Sequence, residues 1–123
     1  MEYLILTMVL GAGFLFCGFT VAAGHCYRKL VDHLHAQHHD QWEREGRPDG
    51  GPGSRHEIGF WNISNHLVSA SLWMRWYRVT PIWAIGDLQA IGWLSRFRRW
   101  WTAAMIMWAV AAIGFLWFFV AVG

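Results

Sequence analysis

Two long apolar stretches, separated by a polar middle region, dominate the pattern of this chain. Residues 3–23 and 100–122 contain no charged side chain. An α-helix needs about 20 apolar residues to cross the ~30 Å hydrocarbon core of a bilayer, so each stretch is long enough to span it. We predict an all-α membrane protein in which residues 1–123 form one domain, with transmembrane helices at about 3–24 and 100–122.

The first apolar stretch is predicted to be a membrane anchor rather than a cleaved signal peptide. Only Met1 and Glu2 precede it, so it lacks the positive charge that opens a signal peptide. Its apolar run is also longer than the usual hydrophobic core of such a signal.

The middle region, residues 25–99, is predicted to be a helical loop with one break. Residues 25–45 contain neither Gly nor Pro, so the first span should continue as one helix to about Glu45. A narrow apolar stripe with a helical period follows this extension, at Tyr27, Leu30, Val31 and Leu34. Four glycines and two prolines at 46–54 then disfavour regular structure, and the helix is expected to end at the first of these glycines.

The second half of the loop is predicted to contain two more helices. One runs from Asn65 to about Val79, and the other begins at Pro81, a residue suited to a first helical turn. An apolar line marks the second helix, at Ile82, Ile85, Leu88, Ile91 and Leu94. This helix is expected to continue into the second span, with its apolar line against lipid headgroups or a partner. Asp87 would lie near its N-terminus, where negative charge is favoured.

The distribution of charge predicts the topology. All ten Lys and Arg residues lie between the apolar stretches. Basic residues beside membrane exits favour the cytoplasmic side, so we predict a cytoplasmic loop and periplasmic chain ends in a bacterial inner membrane. The side chains expected at the membrane interface are Arg28, Lys29, Trp93, Arg96, Arg98, Arg99, Trp100 and Trp101.

The small net charge of the loop limits its possible partners. Seven of the eight acidic residues also lie there, so the excess of positive charge is too small to suggest a nucleic-acid-binding protein.

Most of the ten tryptophans lie in the loop or at its exits, and they allow two interpretations. They could settle at a membrane surface, or they could form the core of a small cytoplasmic bundle.

Histidines form a candidate metal site. Four of the seven lie in the segment His33–His39, and on a helix His35, His39 and Glu43 recur every four residues along one face. Imidazole and carboxylate ligands suit zinc or iron. Ligands spread over two turns cannot all reach one ion on a straight helix, which favours two of them plus an outside ligand. The alternative is a solvated polar stripe.

Small residues form candidate helix-packing faces within the two spans. In a membrane, such residues let helix backbones approach closely. The first span contributes Thr7, Gly11, Gly18 and Ala22, and the second contributes Ala104, Ala111 and Gly114. These faces could pack the two spans against each other or against a partner.

The chain lacks the sequence signatures of catalysis. It has no nucleophile-elbow motif, phosphate-binding loop or C-x-x-C pair, and neither span contains an Asp, Glu, His, Lys or Arg residue of the sort that marks a transport path. We therefore expect a non-catalytic protein without a bound cofactor, acting through contacts with membrane lipids and with other integral membrane subunits or copies of itself. It would be an accessory or assembly subunit of a larger complex. The alternative is a small metal- or haem-binding membrane protein that uses the histidines of His33–His39.

Short motifs give the chain a resemblance to a known family. After the first span come Leu30, Leu34, His35, His39, Trp42, Gly46 and Pro48. Further on come Asp49-Gly50-Gly51, Trp73, Tyr77, Asp87-Leu88 and Arg96, before the second span. This layout resembles the universal stress protein B-like family of small two-span bacterial inner-membrane proteins. The resemblance implies a stationary-phase or membrane-stress context and no catalytic residues.

Overall fold

The computed structural model describes residues 1–48 and 63–123, and the side chains of 1–48 and 70–123. The described segments are helical and contain no strand, which confirms the all-α prediction. The helices are α1 (Glu2–Gln37), α2 (His39–Arg44), α3 (Ile63–Arg78), a 3₁₀ turn (Ile82–Ala84) and α4 (Leu88–Val122). Residues 49–54 of the predicted break at 46–54 lie outside the described residues, as does Trp61, one of the tryptophans of the loop.

Helices α1 and α4 are each long enough and apolar enough to cross a membrane. Their most apolar windows have mean hydropathies of 2.2 and 2.4, and only 6% and 0% of the residues in these windows are buried. The core helix of a soluble protein would be mostly buried, and these two are not. The predicted spans at 3–24 and 100–122 fall within these helices.

The chain folds as two compact units. One consists of residues 1–22 and 99–123, and we call it the span pair. The other consists of residues 23–98, and we call it the aromatic unit. Both long helices contribute to both units, because each helix continues from its apolar stretch into the middle region of the chain.

Close packing in the span pair involves some of the predicted small residues. Ala104 is fully buried, and a Cβ atom added to Gly114 would lie 2.8 Å from Cγ2 of Val9. A glycine is therefore needed where α4 meets Val9. Ala22 and Ala111 are half-buried.

Three other predicted packing residues do not lie at this contact. Thr7, Gly11 and Gly18 are exposed, and a Cβ added to either glycine would meet no atom within 4 Å among the described residues. Successive helical residues turn by about 100°, which places Gly11 about 160° around α1 from Val9. Of the two alternatives left open by the sequence, packing against the second span therefore does not apply to these three residues, which point away from α4.

The aromatic unit has a core built on the predicted apolar stripe of α1. Tyr27, Leu30, Val31 and Leu34 are at most 2% exposed, which confirms that this face is packed. Large side chains from α3 and α4 cover it. The Tyr27 ring centroid lies 5.5 Å from that of Trp76 and 6.0 Å from that of Phe97. Burial of these rings contributes to the apolar stabilisation of the unit.

The predicted continuous helix to Glu45 is interrupted at His38. Its backbone dihedrals, φ −133° and ψ 54°, are not helical, and α2 begins at the next residue. The predicted end at Gly46 is confirmed, since this glycine has a φ of 90°. The amide groups of Gly46 and Arg47 donate to the carbonyls of Glu43 and Trp42, which satisfies the last turn.

The predicted helix start at Pro81 is wrong, although α4 continues into the second apolar stretch as expected. Pro81 precedes only the short 3₁₀ turn, and Gly86, with a φ of 84°, lies in a further turn before α4. The predicted apolar line is therefore divided. Ile82, Ile85 and Leu88 are exposed by 87%, 67% and 88%, whereas Leu94 is buried.

Candidate metal centre

Three potential metal ligands converge in the aromatic unit. His33 lies on the last turns of α1, His38 lies at the interruption between α1 and α2, and Asp87 directly precedes α4. Their ligand atoms all lie within 4.8 Å of one another. Two of these residues come from the predicted histidine cluster, and the third, Asp87, is 49 positions beyond His38 and 54 beyond His33 in the sequence.

One carboxylate oxygen is the meeting point of the cluster. Oδ2 of Asp87 lies 2.6 Å from Nε2 of His33 and 2.9 Å from Nε2 of His38. The two imidazole centroids are 5.9 Å apart and nearly edge to face. Without an ion, each Nε2–H donates to the carboxylate. With an ion, the same nitrogen atoms and the same oxygen would be its ligands.

The interruption at His38 makes this convergence possible. On an unbroken helix, residues five positions apart point about 140° away from each other. The φ of −133° at His38 turns its side chain out of the direction that an unbroken helix would impose. Both histidines then reach Asp87.

The chain also fixes the position of Asp87. The second carboxylate oxygen, Oδ1, accepts a hydrogen bond of 3.2 Å from the backbone N–H of Ala90. Asp87 is therefore the N-cap residue of α4. This bond leaves Oδ2 directed at the histidines.

The charge state of Asp87 follows from its hydrogen bonds. The bond from His33, and next that from His38, hold the pKa of the Asp87 carboxyl well below its usual range, while partial burial acts in the opposite direction. The carboxylate is therefore ionised at neutral pH. It gives the cluster the negative charge that a cation site requires.

The cluster lies at the edge of the core, partly open to solvent. The side chains of His33, His38 and Asp87 are 10%, 29% and 20% exposed. On the buried side, the ring of Trp83 lies 5.3 Å from that of His38, and Trp83 itself is 8% exposed. On the open side, each histidine lines a surface depression. An ion could enter from there.

The three metal ligands predicted from the sequence do not converge in this way. His35 and His39 have ring centroids 5.1 Å apart, and Nε2 of His39 lies 3.5 Å from a carboxylate oxygen of Glu43. Both rings instead contact Trp42, at 4.5 Å and 5.3 Å. Among the described residues, only His33, His38 and Asp87 form a group of three convergent ligands.

A sequence signal for the third ligand was present in the chain. Gly86 and Asp87 directly precede an apolar helical run, and Asp before such a run is a typical N-cap. The sequence pattern instead predicts a helix start at Pro81, which would make Asp87 a residue within the first turns. The pairing of Asp87 with the histidines required the tertiary fold.

The predicted membrane-interface residues fall into two groups. Lys29, Arg96, Arg99 and Trp100 are exposed, whereas Arg28, Trp93, Arg98 and Trp101 are half-buried. The guanidinium of Arg96 lies 4.9 Å from the centroid of the Trp93 ring, a cation–π contact.

Arg98 also makes contacts within the protein. Its Nε donates to the carbonyl of Trp76 at 2.9 Å, and a terminal nitrogen donates to the hydroxyl of Thr80 at 3.2 Å. The first bond satisfies a carbonyl in the last turn of α3. Arg98 therefore holds α3 against α4, in addition to the place at the membrane interface that the sequence predicts for it.

Comparison with known proteins gives no relative. No protein-family description, curated protein or solved structure matches the chain.

Proposed function

We propose that the chain is a two-pass membrane protein without catalytic activity, which acts through contacts as an accessory or assembly subunit of a larger membrane complex. The observation that carries this proposal is the uncovered apolar surface of α1 and α4. Soluble proteins rarely expose apolar patches larger than a few hundred Å². Lipid, or another membrane subunit, is the environment in which such a surface is stable.

The composition of this surface supports a partner in addition to lipid. The face of α1 that carries Thr7, Gly11 and Gly18 is exposed and opposite to the contact with α4. Without Cβ atoms at the two glycines, a neighbouring helix could approach the backbone of α1 closely. We propose that another integral membrane subunit occupies this face.

The partner proposal is tested by purification in mild detergent followed by mass spectrometry. We expect a copurifying membrane protein with the wild type, and its loss with Gly11→Leu combined with Gly18→Leu. The matched control is Val120→Leu, an added bulk at an exposed position of α4. A wild-type protein that purifies alone, or a partner that persists in the double variant, contradicts the proposal.

The proposed topology has residues 25–99 in the cytoplasm and both chain ends in the periplasm of a bacterial inner membrane. The concentration of basic residues between the spans supports it. Reporter fusions after Pro52 and after Gly123 should report opposite sides of the membrane. If both fusions report the same side, the two-span topology is wrong.

The basic residues beside the second span offer a sharper test of topology. Arg96→Glu with Arg99→Glu reverses the charge there and leaves the internal contacts of Arg98 in place. We expect misinsertion or loss from the membrane fraction. The control is Arg44→Glu with Arg55→Glu, since these residues lie far from both spans in sequence. If both double variants insert equally well, the basic residues beside the second span do not determine the topology.

The family resemblance and the stress context also belong to this proposal. They rest on the short motifs around Leu34, His35, His39 and Trp42. Deletion in the host organism should then impair survival in stationary phase or under membrane stress, with normal exponential growth. An unchanged survival curve would argue against that context.

A further inference from the structure

We propose that His33, His38 and Asp87 bind one zinc ion, or a divalent transition-metal ion of similar chemistry. This site goes beyond the proposed function, because a contact-mediated role in the membrane requires no metal. It also differs from the triad predicted from the sequence, with which it shares no residue.

The ligand types select the class of ion. Two imidazole nitrogen atoms and one carboxylate oxygen suit zinc and iron, whereas magnesium and calcium prefer all-oxygen sites. Three protein ligands with a further open position form the usual arrangement of an accessible zinc site. A carboxylate ligand carries one negative charge and an imidazole ligand none, so a bound divalent cation would leave the centre with one net positive charge.

The distances require only a small expansion. Tetrahedral zinc, with bonds of about 2.0–2.1 Å, separates neighbouring ligand atoms by about 3.3 Å. The two Nε2–Oδ2 distances of 2.6 Å and 2.9 Å are shorter than this, and all three ligand atoms lie within 4.8 Å. Side-chain rotations that lengthen these two distances by about 0.4–0.7 Å would make room for an ion between Oδ2 and the two nitrogen atoms.

The surroundings support each ligand as metal sites require. The Ala90 N–H holds Oδ1 of Asp87, so Oδ2 is the free oxygen that an ion would meet. The Trp83 ring limits the movement of His38 on its buried side. Such outer contacts orient the ligands of metal sites and strengthen binding.

Access and the remaining coordination position follow from burial. His38 and Asp87 are 29% and 20% exposed, so a bound ion would have one side open to solvent. A water molecule would complete the coordination. On binding, the proton on each ligating nitrogen moves through solvent to Nδ1, and the imidazole stays neutral.

The competing interpretation is a purely structural hydrogen-bond cluster, in which the two histidines anchor Asp87 at the start of α4. Substitution by glutamine separates the two interpretations. A glutamine amide can donate a hydrogen bond to the carboxylate, but it is a poor ligand for zinc. His33→Gln and His38→Gln should therefore retain the fold and lose the ion.

The experiment uses the full-length protein in detergent, stripped of metal. Equilibrium dialysis against zinc, followed by elemental analysis, should give one ion per chain. Cobalt should give the visible absorption of a low-symmetry nitrogen and oxygen site, and magnesium should not compete. Zinc should also raise the thermal unfolding temperature, since a ligand that binds only the folded state stabilises it.

The variants locate the site. We expect His33→Gln, His38→Gln and Asp87→Asn each to weaken zinc binding by about 100-fold or more, at the upper end of effects seen for groups that support metal ligands. Asn at 87 can still cap α4 through its side-chain oxygen. The matched controls are His35→Gln and His39→Gln, neighbouring histidines outside the cluster, which should bind zinc like the wild type.

Several results would overturn the proposal. One is a wild type that binds neither zinc nor cobalt. Another is zinc binding lost in His39→Gln but kept in His38→Gln, which would restore the triad predicted from the sequence. Circular dichroism checks that each variant is folded. If one of the three variants unfolds, the zinc affinities of the other two and the effect of zinc on the unfolding temperature of the wild type test the proposal. Because the ion is measured on isolated protein, failure here leaves the copurification test unaffected.

Discussion

The span pair and the aromatic unit use the same kinds of side chain in opposite ways. In the aromatic unit, Trp76 and Phe97 are 1% and 0% exposed, so these rings form an internal core. In the span pair, Trp117 and Phe115 are 64% and 53% exposed. An aromatic ring contributes to stability through the environment that covers it. One unit covers its rings itself, and the other depends on its surroundings.

For two tryptophans of the loop, this difference decides between the two interpretations. Trp76 and Trp83 are buried against other rings of the aromatic unit, with centroids 5.7 Å apart. They belong to a protein core and not to a membrane surface. Trp100, in the span pair, is 39% exposed and contacts Phe19 at 5.6 Å, a position compatible with a membrane interface.

The largest expected effect contrasts one tryptophan from each unit. Trp76→Ala should lower the free energy of unfolding by about 3–5 kcal/mol, because it leaves a cavity in the core. Trp117→Ala should change it by no more than about 0.5 kcal/mol, as for an exposed residue. Thermal unfolding in detergent, followed by near-ultraviolet circular dichroism, measures both. Equal losses would remove the distinction between the two units.

A second contrast concerns two neighbouring arginines. Arg98→Met should cost about 1.5–3 kcal/mol, since it removes the charged donor to the Trp76 carbonyl and the Thr80 hydroxyl. Arg99→Met removes the same charge from an exposed position and should cost no more than about 0.5 kcal/mol. Chemical denaturation of the two variants tests this. A similar loss in both would assign the effect to net charge.

A third contrast separates two glycines in the span pair. Gly114→Leu should destabilise the pair by about 1–3 kcal/mol, because its side chain would overlap Val9. Gly11→Leu has open space and should leave the pair intact. Energy transfer between labels on the two spans reports their separation. If Gly11→Leu separates the spans and Gly114→Leu does not, the packed face has been assigned to the wrong side of α1.

The smallest effect concerns the turn before α4. Gly86 has a φ of 84°, and a Cβ atom added to it would meet no atom within 4 Å among the described residues. Gly86→Ala should therefore lower the free energy of unfolding by about 1 kcal/mol, through backbone strain alone. Gly92→Ala, in the helix that follows, also has open space and should be neutral or slightly stabilising. Thermal unfolding compares the two. An unchanged Gly86→Ala variant would show that the turn adapts without strain.

Periodicity and local chemistry predicted much of the fold. The two long apolar helices, the packed stripe from Tyr27 to Leu34 and the helix end at Gly46 could all be read from the sequence. These features depend on residues within a few turns of one another. Hydrophobic period and glycine conformation act over that range, so the chain itself determines them.

Only the tertiary structure decided which faces meet. The small residues of α1 suggested a packing face, but Val9 and Ala12 lie towards the covered side of the helix while Gly11 remains exposed. Composition cannot show which face of a uniformly apolar helix packs against another helix, because both faces are equally compatible with lipid. The choice depends on the shape of the opposing helix.

The metal ligands show the same division between local and long-range information. The sequence located a histidine cluster and suggested ligands every four residues, on the assumption of a straight helix. The structure interrupts that helix at His38 and brings Asp87 to His33 from the start of α4. Local pattern determined which residues could ligate an ion. The long-range approach of α4, stabilised by the aromatic core, decided which of them converge.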